Sequence, residues 1–155
     1  MPAQVRSGRP ADAPMIAEFN ARLAKESENE ILDTAKVRAG VAALLADPVK
    51  GRYFLAERDG DVVGQLMLTT EWSDWRNGVF WWIQSVYVPP EHRCKGVFSA
   101  LYRHVQNIAH DDPQVCGLRL YVDKENFPAK SAYRTLGMGP SNYEVMELEF
   151  EGRAT

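Results

Sequence analysis

SVYVPPEHRCKGVFSALYRHV, residues Ser85 to Val105, begins as a strand and ends as a helix. Pro89-Pro90 closes the strand. From Gly96, the recurrence of Val97, Leu101, Val105 and Ile108 predicts a helix running to about Ala109. Arg93, Lys95 and Gly96 lie between the two. A helix start leaves backbone N–H groups without intrahelical partners, at the positive end of the macrodipole. A glycine there lets a ligand come close to the backbone, and the two cations add full charges. Such a junction suits a phosphate or pyrophosphate, each charge-assisted hydrogen bond contributing about 1.5–3 kcal/mol. A solvated basic turn fits the junction equally well. Two phosphate-binding patterns are excluded: Lys95 precedes Gly96 rather than following it, which rules out GxxxxGK[ST], and a lone glycine cannot make GxGxxG.

The rest of the chain is consistent with one domain over residues 1–155. It is 45% hydrophobic and 25% charged, an ordinary globular composition. No run approaches the roughly 18 apolar residues of a membrane span. The N-terminal stretch has no apolar core of a secretory signal, so a cytoplasmic, membrane-free protein is expected. The formal charge of −3 argues against nucleic acid as a partner. Cys94 and Cys116 are the only cysteines; with no CxxC and no histidine at ligand spacing, no metal site is expected.

Working outward, Val5–Gly8 reads as a first strand. Asp12 is an N-cap candidate for a helix carrying Ile16, Phe19 and Leu23, and the polar run AKESENEILD (24–33) interrupts that pattern. Asp33 or Thr34 caps a second helix that ends before Asp47-Pro48. Tyr53–Glu57 and Val62–Thr70 are strands joined by the turn Asp59-Gly60, and Asn77-Gly78 marks another turn. Val79–Val88, apolar on both faces, reads as a central strand. Cys116–Val122 is a strand, Asn126–Met138 a helix stopped at Gly137, and Tyr143–Phe150 alternates as a last strand. The class is α+β: a mixed, mostly antiparallel sheet flanked by helices.

Arg93-Cys94-Lys95-Gly96-Val97-Phe98 resembles the R/Q-x-x-G-x-G/A signature of the GNAT superfamily of acyl-CoA-dependent N-acyltransferases, with Phe98 in place of the usual Gly or Ala. Asn126-Phe-Pro-Ala129-Lys-Ser-Ala-Tyr133-Arg-Thr-Leu-Gly137-Met138 is similar to the family's second signature, N-x-x-A-x-x-x-Y-x-x-x-G-F, with Met138 for Phe. The element order agrees, so the resemblance covers nearly the whole chain.

The resemblance implies a V-shaped cofactor cleft between two splayed strands and acetyl-CoA as cofactor. The backbone of Val86, Tyr87 and Val88 would hold pantetheine. Arg93, Cys94, Lys95, Gly96, Val97, Phe98 and Ser99 would receive the pyrophosphate, and Asn126 would contact the cofactor across the cleft. Tyr133 matches the family's general acid, which would also touch the cofactor and protonate the departing thiolate. The implied reaction is acetyl transfer to a primary amine by direct attack in a ternary complex.

Some family members carry a base on the central strand where this chain has Trp82. Glu71, Asp74, Glu26, Glu28 and Glu30 are the carboxylate candidates; water serves equally, and each is otherwise a solvated surface charge. Trp72, Asp74, Trp82, Glu28 and Glu30 are candidate contacts to a cationic acceptor, either a small-molecule or a peptide amine. Trp81 and Trp82 cannot line one pocket, because strand neighbours face opposite ways. Two alternatives stand beside this reading: transfer of another acyl group, and a non-catalytic acyl-CoA sensor. A homodimer would cover edge strands and exposed aromatics.

Overall fold

A computed structural model describes residues 2–153. Their elements run in the order β1 (Gln4–Ser7), α1 (Ala13–Glu28), α2 (Thr34–Ala46), β2 (Arg52–Arg58), β3 (Asp61–Ser73), β4 (Gly78–Tyr87), α3 (Val97–Asp111), β5 (Val115–Leu120) and α4 (Phe127–Thr135). The chain divides into two compact units, one ending at Leu120 and the other beginning at Tyr121.

In the first unit the strands form one sheet in sequence order, β1 to β5. The first three pairings are antiparallel and β4–β5 is parallel, so the expected mixed, mostly antiparallel sheet is present. Asp59 and Gly60 both have positive φ, 53° and 84°, as a two-residue hairpin turn between right-twisted strands demands. Because β2 alternates faces, Tyr53 and Leu55 join Ile16, Ala17, Val41 and Leu44 of the first two helices in one buried cluster. On the opposite face Phe54 meets the ring of His104 from α3 at 5.1 Å. Gly64 of β3 lets α3 sit close: a Cβ there would fall 2.6 Å from Val97 Cγ1.

Three expectations need correction. The polar run from Ala24 does not end α1, which continues to Glu28 and stops at Asn29 with φ 51°; Glu26 and Glu28 are therefore helical rather than loop residues. Polarity marked only the solvated side, and the last turn is closed by Asn29 and Glu30 donating to Lys25 and Ala24 carbonyls. Asp12 holds the N-cap position of α1, but its side chain makes no capping bond there. Its carboxylate accepts both terminal nitrogens of Arg6, at 2.8 and 2.9 Å, and the Arg9 N–H at 2.7 Å. Finally, residues 143–150 form no strand. Their alternation fits a pleat, but a strand exists only where a neighbouring backbone completes the ladder.

In the second unit, Asn126 caps α4 by accepting the Ala129 N–H at 3.2 Å. The helix ends in a Schellman motif: Gly137, at φ 96°, donates to Arg134, and Met138 donates to Tyr133.

Candidate active site

The site grows from the end of β4. Pairing between β4 and β5 stops at Ile83–Leu120, while β4 continues to Tyr87. β5 ends there, so the last residues of β4 have no ladder partner on the β5 side. On the β3 side Gln65 faces Tyr87 and Met67 faces Gln84. Ser85 and Val86 thus share the single place opposite Leu66, and Ser85 has φ 49°. This is a β-bulge, which re-aims backbone groups out of the ladder.

The bulge is held by buried polar groups that sequence reading missed. Gln65, fully buried, donates from Nε2 to the Ser85 carbonyl at 3.0 Å and to Asn20 Oδ1 at 2.7 Å. Asn20 Nδ2 donates to the Tyr53 hydroxyl at 3.2 Å. Burial pushes the Tyr53 phenol up. The available signal was Gln65 itself, a lone polar residue inside the apolar run VVGQLML.

Beyond Tyr87 the chain passes through a 3-10 turn at Pro90–His92 and then takes two left-handed residues, Cys94 (φ 58°) and Gly96 (φ 80°). Gly96 is the N-cap of α3. The first backbone bond of α3 runs from Ala100 N–H to the Gly96 carbonyl at 3.0 Å, so the amides of Val97, Phe98 and Ser99 lie ahead of it. A Cβ on Gly96 would meet nothing within 4 Å; the ground in front of this helix start is open. The arrangement has the parts of an anion cradle: a helix N-terminus, a left-handed turn and space for close approach.

Arg93 and Lys95 are used differently from the expectation of two free cations. Arg93 Nε donates to the Val88 carbonyl at 2.8 Å and its terminal nitrogen to Glu26 at 2.6 Å. Lys95 Nζ donates to the Glu91 carbonyl at 2.9 Å, and the Lys95 carbonyl accepts Arg58 at 3.0 Å. Their side chains brace the loop. Glu26 also accepts the buried Tyr87 hydroxyl at 2.8 Å. The Arg93 hydrogen bond holds its carboxyl below the usual range, while burial pushes the Tyr87 phenol up. Arg22 stacks over Tyr87, 5.3 Å from the ring centroid.

Of the acceptor candidates, Trp82 and Glu71 meet: the indole N–H donates to Glu71 Oε1 at 3.1 Å, and Arg119 donates to the same oxygen at 2.8 Å. Arg119 in turn lies 3.7 Å from the Phe80 ring centroid. Trp81 is buried, on the opposite side of β4 from Trp82. Trp72 and Asp74 are exposed at the end of the β3–β4 hairpin, Glu28 is exposed in the last turn of α1, and Glu30 follows the helix. In the second unit Tyr133 is half-buried on α4, and burial raises its phenol above the ordinary value. Among the described residues no cluster of His, Cys, Asp or Glu is fit to hold a metal, and no helix is long and apolar enough to cross a membrane.

The model of the acetyltransferase (GNAT) family matches residues 17–138. The chain belongs to that family. A possible acetyltransferase from Clostridium difficile 630 is 46% identical at a TM-score of 0.91, the match covering 97% of this chain and 99% of that one. Two more distant structures share the fold. One is a predicted acetyltransferase with acetyl-CoA from Clostridium acetobutylicum, 18% identical at a TM-score of 0.76, over 95% of this chain and 96% of that one. The other is a ribosomal-protein-alanine N-acetyltransferase from Brucella melitensis biovar Abortus 2308, 18% identical at 0.77, over 96% and 99%. Among curated proteins, none matches the chain.

Proposed function

We propose that residues 1–155 act as one acetyl-CoA-dependent N-acetyltransferase domain, moving acetyl to a primary amine that attacks directly in a ternary complex. One observation carries the reading: the unpartnered end of β4 leads, through the left-handed Cys94 and Gly96, into the N-terminus of α3. That geometry fits a pantetheine along the backbone of Val86, Tyr87 and Val88 and a pyrophosphate at the amides from Cys94 to Ser99. Arg93 and Lys95 serve mainly by fixing the loop, and Asn126 supplies a further contact. When bound, acetyl-CoA supplies an acetyl group activated as a thioester.

The chain's own residues do the rest. The bulge at Ser85–Val86 presents a backbone N–H to the acetyl carbonyl, in the manner of an oxyanion hole. Tyr133 holds a proton for the departing sulfur; a phenol is protonated at neutral pH, and burial shifts this one further the same way. Holding amine and acetyl group together replaces a bimolecular encounter and accounts for much of the rate. The amine's proton leaves to Glu28, Glu71 or water. Of these, Glu71 is bound to Arg119 and Trp82. Glu28, Glu30, Trp72, Asp74 and Trp82 form the acceptor side, suited to a cationic small molecule or peptide N-terminus.

Calorimetric titration with acetyl-CoA, CoA and ADP tests this, followed by an amine screen that monitors CoA release. Micromolar affinity for acetyl-CoA, lost on replacing Gly96 with valine, is expected. No binding to any of the three ligands would remove the cofactor assignment and the enzyme with it.

A further inference from the structure

We infer that Gln65 is a positioning residue for acetyl transfer: its buried carboxamide holds Ser85 in the bulge, so that the Val86 N–H is aimed at the acetyl carbonyl. The inference rests on the acetyl-CoA reading above.

Two energetic costs coincide at this point. A serine at φ 49° is in a conformation that costs on the order of 1–3 kcal/mol and persists only where its surroundings over-determine it. Gln65 Oε1 is buried and accepts no hydrogen bond, a desolvation cost of about 1–3 kcal/mol. A leucine at 65 and a regular β4 would avoid both. Instead, four residues from α1, β2, β3 and β4 form a chain of hydrogen bonds running from Tyr53 through Asn20 and Gln65 to Ser85. The Gln65 end of that chain grips the Ser85 carbonyl.

The product of this bracing is a backbone direction. Neither Ser85 nor Val86 has a register partner on β3, and the β5 ladder has already ended at Ile83. Holding the Ser85 carbonyl on the Gln65 carboxamide fixes the Ser85–Val86 peptide plane, and with it the Val86 N–H, which points the opposite way from that carbonyl. Gln65 never touches the reacting atoms; it acts through Ser85.

The test uses acetyl-CoA labelled with 13C at the acetyl carbonyl and needs no acceptor. Infrared difference spectra report polarisation of that carbonyl, and hydrolysis of acetyl-CoA without amine reports turnover. In the wild-type protein the bound carbonyl stretch is expected below its free value. Gln65→Met, similar in length and without donors, is expected to keep acetyl-CoA affinity within about threefold. It should return the stretch to the free value and lower turnover about 10²-fold. Should Gln65→Met not fold, Gln65→Glu carries the test: ionised, it loses the shift; protonated on acidification, it donates to the Ser85 carbonyl again and regains it. A bound variant with the wild-type stretch and turnover overturns the inference, as does a wild-type complex with an unshifted carbonyl. Failure of wild-type protein to bind acetyl-CoA is a separate result, which removes the underlying reading first.

Discussion

Glu26, in the last turn of α1, takes the guanidinium of Arg93 at 2.6 Å although Arg93 lies 67 residues further along the chain. Its other oxygen takes the Tyr87 hydroxyl at 2.8 Å. One carboxylate thereby ties the end of α1 to both the end of β4 and the start of the loop before α3.

Glu26→Gln keeps the shape and removes the charge. The paired side chains are 46% and 39% exposed, so after solvent screening the pair contributes at most about 1 kcal/mol to stability. Its larger effect is on the loop. Acetyl-CoA affinity measured by calorimetry should fall by roughly threefold to tenfold, and raising the salt concentration should shrink that difference. Equal affinity at low salt would show that the clamp does not shape the cofactor loop.

Acid should weaken the fold at Asp12. The Arg6 hydrogen bonds hold this carboxyl below its ordinary value, and Arg6 itself is raised. A depressed folded-state pKa means the contribution is complete above the unfolded value, near 3.9, and drains away as pH falls below it. Asp12→Asn should therefore cost about 2 kcal/mol at neutral pH, where it strips a charged acceptor from a half-buried arginine. That deficit should narrow as pH drops through 4 toward the folded-state value. Urea melts of both proteins from pH 7 to pH 2 give the comparison; a constant difference would mean the pair contributes through shape rather than charge.

Gly64→Ala tests how α3 is seated. The added Cβ would come 2.6 Å from Val97 Cγ1, and valine at a helix start has little rotamer freedom to yield. Overpacking of this kind costs about 1–3 kcal/mol. Thermal unfolding should show that loss, and acetyl-CoA binding should weaken too, because Val97 follows Gly96 in the cradle. Unchanged stability with weakened binding would instead mean that the helix start shifts without strain.

Tyr133→Phe removes only a hydroxyl. Turnover should drop about 10²–10⁴-fold, the range for general acid catalysis, with the dissociation constant for acetyl-CoA nearly unchanged. Wild-type turnover in this variant would take Tyr133 out of the mechanism.

Several features were legible because neighbouring residues set them. Asp59-Gly60 turns the first hairpin through its own tolerance of positive φ. Asp33 caps α2 by accepting Lys36 N–H at 3.1 Å, and Gly137 ends α4 for the same steric reason that Gly96 begins α3. The two signatures carrying Gly96 and Tyr133 were enough to indicate the family. The brace around Ser85 was not legible, since Asn20, Tyr53, Gln65 and Ser85 come from four elements.

The sequence by itself determined the turns, the Asp33 cap of α2, most of the strands and the basic helix start, all products of local sterics and hydrophobic period. Tertiary structure decided the rest. It assigned Arg93 to Glu26 instead of leaving it as a free cation, bound Glu71 to Arg119 and Trp82, and bent β4 at Ser85. It also left the alternating run at 143–150 without a ladder. Each of these depends on which distant group arrives within hydrogen-bonding distance, and that is a property of the assembled sheet and helices rather than of any stretch of chain.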